Sequence, residues 1–274
     1  MNPSSTPLSA QEKVVLITGA AKRLGREIAL QFARQGWSVG VHYGNSQAEA
    51  IETVAIIEDL GGRACAFQAN LAIEAEVHNL FKVVEDKLGV LDCLVNSASI
   101  FEYDRASAED EILSAEFLQR HLAVNLVAPV LLSQLMFRQQ KQRGKKKSNG
   151  GDIVPSIIHL LDQKLINLNP DYFSYTVSKG ALLCATELLA MDFAPHLRVV
   201  GLAPGITLPS GDQSEEDFLN AHQMTPMKRS STPTEIAKAA VFLAESSAIT
   251  GTTLYVDGGQ HLLPSTRDVM FNNH

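Results

Sequence analysis

The chain has 274 residues, 45% hydrophobic and 19% charged, a composition typical of a folded globular protein whose length fits one α/β domain. Its formal net charge of -7 argues against general nucleic-acid binding, which needs a basic surface to neutralise phosphates. Three dispersed cysteines, Cys65, Cys93 and Cys184, form no CxxC pair, so we expect reduced core thiols and neither a metal site nor a disulfide framework.

The first residues lack the features of a targeting segment. Met1–Gln11 is polar and has no basic-then-apolar pattern, so it does not resemble a signal peptide. No run of about 18 apolar residues predicts a membrane span. We therefore expect a cytoplasmic protein without a membrane segment, in which a flexible tail at 1–12 precedes a single domain at 13–274.

Short apolar runs alternate with segments of helical periodicity along the rest of the chain. Strands are predicted at Val14–Ile17, Ser38–Tyr43, Arg63–Gln68, Leu91–Val95, Ile153–Leu161, Val199–Ala203 and Thr253–Val256. Helices are predicted at Leu24–Arg34, Gln47–Leu60, Glu74–Leu88, about Glu111–Gln140, Ser174–Phe193 and Pro233–Glu245. This order predicts an α/β fold, a Rossmann-like doubly wound parallel sheet of about seven strands with helices on both faces. Ligands of such sheets bind beyond the carboxyl ends of the strands.

Two segments interrupt the alternation. Arg138–Gly151 is polar and basic, which predicts a solvated loop in preference to a nucleic-acid-binding arm. Ile206–Thr232 contains prolines, glycine and an acidic patch, and we expect an irregular lid or binding loop there.

The segment Thr18–Gly25 reads TGAAKRLG and lies between the first strand and the first helix. Glycines at this spacing also occur in ordinary turns, but here backbone N–H groups at a helix N-terminus can bind a pyrophosphate. The residues expected to contact a dinucleotide in this turn are Gly19, Lys22, Arg23, Leu24 and Gly25.

With this turn the chain resembles the short-chain dehydrogenase/reductase family, whose usual turn is TGxxxGxG. Arg23 stands where the family has its middle glycine. This variant is similar to the turn of the pteridine reductases, where that arginine reaches the cofactor phosphates and the pterin. The resemblance covers roughly residues 13 to 263 and implies a homotetramer.

The end of the second strand indicates which dinucleotide is used. An NAD enzyme places an acid there to accept from the ribose 2′-hydroxyl, whereas this chain has His42-Tyr43-Gly44-Asn45-Ser46. His42, Asn45 and Ser46 could donate to a 2′-phosphate, so we expect NADPH. His42 could also be an interior strand residue, and pteridine reductases often carry arginine where Asn45 stands.

Further positions at strand ends match the family pattern. Asn70 and Leu71 replace the usual Asp-Leu that contacts adenine, and Asn96-Ser97-Ala98-Ser99 is similar to the family's NNAG or NNAS. The resemblance places Asn96, Ala98 and Ser99 along the ribose and nicotinamide. After the sixth strand, the resemblance adds contacts to the cofactor from Pro204, Gly205 and Thr207.

Tyr175 and Lys179 form a Tyr-x3-Lys pair at the start of the helix that follows the fifth strand. Residues four apart share one helix face, so both heads can reach one pocket. Such a pair is a common accident, but this position is where the family has its catalytic pair. A nearby ammonium lowers the pKa of a phenol, and we expect this effect on Tyr175.

Thirteen residues before the tyrosine the family usually has a serine, which polarises a carbonyl. Here that position is Asp162, a departure shared with pteridine reductases and dihydromonapterin reductases. A carboxylate can accept from an amino-pyrimidine N–H or, when protonated, pass a proton to a ring nitrogen. A residue that merely caps the next turn is the alternative.

Two more roles come from the resemblance. Phe101 matches an aromatic residue that stacks on the pterin, although core packing explains a phenylalanine equally well. Asn125 matches the family asparagine that holds a water linking the lysine to solvent.

These residues predict an NADPH-dependent pteridine reductase acting on a dihydropterin or also a dihydrofolate. Asp162, Tyr175, Lys179 and Asn125 are the expected catalytic residues, and the substrate would contact Arg23, Ser99, Phe101, Asp162 and Tyr175. The alternatives are a carbonyl reductase of the 3-oxoacyl type that tolerates Asp162, and a non-catalytic NADPH-binding sensor.

Overall fold

The computed structural model describes residues 12–108, 113–143, 154–209 and 214–271. The predicted N-terminal tail, except for its last residue, lies outside these ranges. So does most of the predicted basic loop, from residue 144 onwards, and the centre of the predicted lid at 210–213.

The described residues form seven strands and eight α-helices. The strands are β1 (Val14–Ile17), β2 (Ser38–Tyr43), β3 (Ala64–Gln68), β4 (Cys93–Asn96), β5 (Ser156–Leu160), β6 (Arg198–Pro204) and β7 (Thr253–Val256). The helices are α1 (Arg23–Arg34), α2 (Gln47–Asp59), α3 (Glu74–Leu88), α4 (Ala115–Leu122), α5 (Ala128–Arg143), α6 (Phe173–Phe193), α7 (Glu215–Gln223) and α8 (Pro233–Glu245). Every predicted strand is present, with boundaries that differ by at most three residues.

All strands are parallel and follow the order β3-β2-β1-β4-β5-β6-β7. The order reverses between β1 and β4, where Val15 pairs with Cys93 and Ile17 with Val95. Connections run from β1 outwards in one direction and from β4 outwards in the other, which opens a crevice at the carboxyl ends of these strands. The predicted doubly wound parallel sheet is confirmed.

Alternate residues of each strand enter two separate cores, one on each face of the sheet. Val15 and Ile17 face α1, α2 and α8, whereas Val14 and Leu16 face α3, α5 and α6. These residues are at most 5% exposed. Burial on both faces explains why the central strand β1 is a continuous apolar run, whereas the edge strand β3 has exposed residues.

The predicted long helix is continuous but not regular. A π-helical segment at Ala123–Val127 joins α4 to α5, and it places Asn125 in the interior. Ala115–Arg143 is the one described helix long and apolar enough to cross a membrane, by length and composition only, a test that a core helix can also pass. Its apolar residues Leu132 and Met136 are fully buried against α3 and the sheet.

Two further expectations need correction. The predicted irregular segment 206–232 contains α7, whose N-terminus is capped by Ser214, with the hydroxyl accepting from Asp217 N–H at 3.1 Å. The acidic residues there occupy the first helical turn, where they favour helix formation. Among the cysteines, Cys93 is buried as expected, but Cys184 is exposed on α6.

Candidate active site

A cavity of about 1210 Å³ lies at the carboxyl ends of the strands, centred on the point where the strand order reverses. It is large enough for a dinucleotide together with a second small molecule. The predicted site residues that line it are Gly19, Lys22, Arg23, Leu24, Gly25, His42, Asn45, Asn70, Leu71, Ala98, Ser99, Phe101, Asp162, Tyr175, Lys179, Pro204, Gly205 and Thr207. Those that do not line it are Tyr43, Ser46, Asn96 and Asn125.

The turn between β1 and α1 is shaped by close backbone contacts. A Cβ atom on Gly25 would lie 2.1 Å from the carbonyl oxygen of Gly19, and one on Gly19 would lie 2.9 Å from Ala98 Cα. Gly19 also has a φ of +66°. Both positions therefore require glycine, as the sequence predicted.

The N-terminus of α1 fits an anionic ligand. Within the described ranges no side chain caps it, and its first turn contains no acidic residue. Lys22 and Arg23, both exposed, stand at this end and line the cavity. Uncapped N–H groups, the helix dipole and two cations together favour a bound phosphate.

Arg23 stands where the family has a glycine, and its backbone has the left-handed conformation that favours glycine, with a φ of +54°. Its guanidinium donates to the carbonyl oxygen of Pro209 at 2.8 Å, at the start of the segment that leads to α7. The arginine therefore connects the phosphate-binding turn with the opposite rim of the cavity.

His42 is buried, and both of its ring nitrogens bind backbone. Nδ1 accepts from Gly19 N–H at 3.1 Å, and Nε2 lies 3.1 Å from the carbonyl oxygen of Ala69, to which it donates. Burial lowers its pKa to about 4, so the ring is neutral at pH 7. The predicted donation from His42 to a 2′-phosphate is therefore wrong, because the imidazole has no donor left, and its role is to position Gly19.

The other predicted residues at the adenosine end separate into two groups. Asn45 is exposed and lines the cavity beside Asn70 and Leu71. Tyr43 packs in the core on the α1 side, and Ser46 precedes α2, so neither lines the cavity. The described residues directly after β2 that line the cavity are Gly44 and Asn45, neither of which is acidic, whereas Glu76 lines it from α3.

The end of β4 is held against the turn after β1. The hydroxyl of Thr18 accepts from the N–H groups of Ser97 and Ala98, each at 3.0 Å. Asn96 is 1% exposed, and among the described residues neither its amide oxygen nor its amide nitrogen has a hydrogen-bond partner. The cavity wall is formed by Ser97, Ala98 and Ser99, so the predicted contact of Asn96 with a ligand is not supported.

Asp162 and Tyr175 meet directly. Asp162 follows β5 and Tyr175 lies in the first turn of α6, and the phenol donates to Asp162 Oδ2 at 2.8 Å. The other carboxylate oxygen, Oδ1, accepts from Lys164 N–H at 2.8 Å. Asp162 caps the next turn, as the alternative reading proposed, yet it also faces the cavity and binds the tyrosine.

Lys179 lies one helical turn after Tyr175 and is 2% exposed. Its ammonium donates to the carbonyl oxygen of Leu160 at 2.7 Å and lies 5.8 Å from the centroid of the Tyr175 ring. An ammonium has three donors, and within the described residues Leu160 O is its one acceptor, so two donors remain for a ligand. Burial lowers the pKa of Lys179 to about 8, against the opposing effect of Asp162.

The ionisation of Tyr175 differs from the sequence expectation. Burial raises its pKa well above the usual value, and the negative charge and hydrogen bond of Asp162 raise it further. The predicted lowering by Lys179 is therefore wrong for this structure, because a carboxylate lies closer to the hydroxyl than the ammonium does. Tyr175 is a protonated phenol. Burial also raises the pKa of Asp162, although the hydrogen bonds from Lys164 and Tyr175 lower it in part.

Asn125 is fully buried in the π-helical segment. Its amide nitrogen donates to Ile100 O and to Ser178 Oγ, both at 3.0 Å, and its amide oxygen accepts from Ile100 N–H at 2.8 Å. Both N–H groups are engaged with protein, so the side chain positions the chain after β4. The predicted place of Asn125 in the proton relay stays a prediction.

Phe101 is 41% exposed and lines the cavity, so it is not a core residue. Its ring stacks on Tyr172 with centroids 4.1 Å apart and meets Tyr175 edge-on at 4.8 Å. These contacts place a flat aromatic surface beside the hydroxyl of Tyr175. Offset stacking on such a surface stabilises a planar ring beyond simple area burial.

Several residues of the site carry no sequence signal. Lys164 follows Asp162, and six residues from a segment near the C-terminus complete the wall: Leu263, Pro264, Ser265, Arg267, Asp268 and Val269. They follow β7 without periodicity or a family motif, so only the tertiary structure identifies them. Across the described ranges no group of three His, Cys, Asp or Glu side chains could hold a metal ion.

Comparison with known proteins agrees with this geometry. A family model described as enoyl-(acyl carrier protein) reductase matches residues 19–261. The crystal structure of FolM alternative dihydrofolate reductase 1 from Brucella canis, complexed with NADP, is 37% identical with a TM-score of 0.83. The match covers 94% of this chain and 98% of that one.

Curated relatives have other activities. Glucose 1-dehydrogenase 2 of Bacillus subtilis strain 168 is 30% identical over 259 residues, which cover 92% of this chain and 96% of that protein. The 3-oxoacyl-[acyl-carrier-protein] reductase FabG of Staphylococcus epidermidis is 29% identical, over 91% of this chain and 99% of that protein. The chain belongs to the short-chain dehydrogenase/reductase family.

Proposed function

We propose that this oxidoreductase reduces a dihydropterin, or a dihydrofolate, with NADPH. The observation that carries the proposal is the 2.8 Å hydrogen bond from Tyr175 to Asp162 at the wall of the cavity. A carboxylate at this position is poorly suited to a ketone, because an ionised carboxylate cannot donate to a carbonyl oxygen. It is suited to a ring that presents N–H groups and accepts a proton on nitrogen.

The residues present fit NADPH. Lys22, Arg23 and the uncapped end of α1 would hold phosphates, while Asn45 and the absence of an acid from β2 fit a 2′-phosphate. Lys179 would bind the nicotinamide ribose with its two remaining donors. When bound, NADPH supplies the hydride for the reaction. The Brucella structure, complexed with NADP, supports this choice of cofactor.

Reduction of a C=N bond adds a hydride to carbon and a proton to nitrogen, and the protein has to provide the proton. Tyr175 keeps its proton at neutral pH because burial and Asp162 raise its pKa. After Tyr175 has given its proton to the substrate, the Asp162 carboxylate takes up a proton from solvent and returns it to the phenolate along the same hydrogen bond. Lys179 stabilises the transient phenolate, and a positioned acid of this kind contributes about 10²–10⁴-fold to a rate.

The substrate end of the cavity has the shape and polarity for a flat heterocycle. Phe101 offers an exposed ring for stacking, and Asp162 offers an acceptor beside it. Arg23 reaches across the opposite rim. Ser99 is exposed on the same wall, and its hydroxyl, which donates to Ile100 O at 3.3 Å, can accept from an N–H group of the ring.

A substrate panel tests the proposal. We expect turnover of dihydrobiopterin, dihydromonapterin or dihydrofolate with NADPH, and much slower turnover with NADH. An acetoacetyl thioester represents the carbonyl reductase alternative, which the similarity to the FabG protein keeps open. Turnover of the thioester alone would contradict the proposal, and binding of NADPH without turnover of any substrate would identify a sensor.

Cytoplasmic location and assembly into a homotetramer stay predictions from the sequence. Size-exclusion chromatography with light scattering measures the second directly.

A further inference from the structure

The chain after β7 returns to the substrate end of the cavity. We call residues 263–271 the C-terminal segment; six of its residues line the cavity. The ring of Phe271 lies 5.3 Å from Tyr103 and 6.3 Å from Tyr172, the residue that stacks on Phe101. The segment therefore packs against the same aromatic group that borders the catalytic tyrosine.

A buried carboxylate anchors the C-terminal segment. The side chain of Asp171 is 0% exposed, and its Oδ2 accepts from Arg267 Nε and from Asp268 N–H, both at 2.8 Å. Arg105 lies 3.7 Å from the other oxygen. A buried carboxylate with charged partners fixes geometry, because loss of one partner leaves an uncompensated charge. Asp268 is thereby held in a defined place.

Lys164 connects Asp268 with the catalytic carboxylate. Its buried ammonium donates to the backbone oxygen of Asp171 at 2.6 Å and to Asp268 Oδ2 at 3.3 Å. Its backbone N–H donates to Asp162 at 2.8 Å. A single residue thus binds Asp162 through its main chain and Asp268 through its side chain, and both carboxylates line the cavity.

We propose that Asp268 is a positioning residue for the reduction: it holds the Lys164 ammonium and places a second negative charge near Asp162, so that the Asp162 carboxylate more readily takes up the proton that it returns to Tyr175. The proposal rests on the function proposed above. It extends that function by assigning a role in proton delivery to a residue of the C-terminal segment, 106 positions from Asp162 in the sequence.

The charged groups around Asp162 support a pKa that Asp268 raises. Burial raises the pKa of Asp162 most, and the charge of Asp268 adds to the rise. Lys164 and the hydroxyl of Tyr175 oppose it, and Lys179 faces the pair from the next turn of α6. Replacing Asp268 with a neutral residue removes a like charge and releases the Lys164 ammonium, and both changes favour ionised Asp162.

The experiment measures the ionisation of Asp162 directly, by NMR titration of protein labelled with ¹³C at the aspartate carboxyl carbon. Asp162→Asn identifies the signal. In Asp268→Asn we expect the midpoint of that signal to move down by about one pH unit, the scale of a close like-charge interaction. Asp268→Glu keeps the charge and should retain the wild-type midpoint, as should Glu245→Gln, which removes a remote surface charge.

A kinetic measurement complements the titration. The decline of kcat/KM for the pterin with rising pH should begin at lower pH in Asp268→Asn than in the wild type. A merely structural role would raise KM without moving the profile. Lys179 adds a separate decline near its own pKa of about 8, which is why the NMR signal is the primary readout.

The two proposals fail in different ways. If the wild type reduces no pterin, the proposed function fails, while the NMR titration still tests the role of Asp268. An unchanged Asp162 midpoint in folded Asp268→Asn, or an equal shift in Asp268→Glu, overturns the role of Asp268 even when pterin is reduced.

Discussion

Replacement of Tyr175 by phenylalanine removes one hydroxyl from the centre of the site. The ring keeps its place because it packs edge-on against Phe101 at 4.8 Å and is itself only 7% exposed. The carboxylate of Asp162 loses its 2.8 Å donor but keeps the one from Lys164 N–H. The change therefore acts on proton delivery with little rearrangement.

The size of each effect follows from these contacts. A lost general acid lowers kcat by about 10²–10⁴-fold. A buried acceptor left without one partner costs about 1–3 kcal/mol, and the lower end applies because Asp162 is partly exposed to the cavity. We expect an unchanged dissociation constant for NADPH, since the hydroxyl makes no contact with the phosphate-binding end.

Steady-state turnover of dihydropterin, NADPH titration and thermal unfolding measure the three quantities. Tyr255→Phe is the matched control: it removes a phenol hydroxyl from β7, outside the cavity, and should leave turnover unchanged. Tyr175→Phe with more than half of the wild-type kcat would refute the assignment of the phenol as proton donor.

Three further predictions concern the cofactor end and the lysine. Arg23→Gly removes the strain of a left-handed backbone at a non-glycine residue, about 1–2 kcal/mol, so the melting temperature of the ligand-free protein should rise. The same change should weaken NADPH binding by about tenfold or more, because a cation at the phosphate-binding turn is lost. Thermal unfolding with and without NADPH measures both effects. Gly25→Ala places a methyl group 2.1 Å from Gly19 O, so α1 has to shift, at a cost of about 1–3 kcal/mol. In the same assay we expect a lower melting temperature and a lower affinity for NADPH. Turnover should fall as the pH rises through about 8, because Lys179 loses its charge there, and a flat profile to pH 10 (about two units higher) would contradict this.

Much of the fold could be predicted from the sequence because its signals are local. β1, β2 and β7 and the helices α3 and α8 begin and end where periodicity and caps placed them. The π-helical segment at Ala123–Val127, which contains Asn125, has no periodic or capping signal in the sequence. The helix α7 did have a local signal, because Ser214 followed by three acidic residues is typical of a helix start, but the prolines and glycine around it favoured an irregular loop.

The positions of the site residues were more predictable than their chemistry. Spacing placed Asp162 at a strand end and Tyr175 at a helix start, where the two side chains meet. The protonation of Tyr175 was not accessible, because it depends on burial and on which charged group lies nearest. The same holds for His42, whose ring nitrogens are engaged by the backbone of Gly19 and Ala69.

The C-terminal segment was beyond sequence reasoning. Arg267 and Asp171 lie 96 residues apart in the chain, and Lys164 and Asp268 lie 104 residues apart. Ion pairs at such separations leave no periodic pattern. Only the folded chain shows that this segment closes the substrate end.

The most direct test of the account is the substrate preference of Asp162→Ser, which restores the family's usual serine. We predict that kcat/KM for dihydropterin falls by about 10²-fold or more, the contribution of a positioned acid, while kcat/KM for the acetoacetyl thioester holds or rises. Equal pterin reduction by the wild type and Asp162→Ser would contradict the claim that this carboxylate adapts the site to a ring nitrogen.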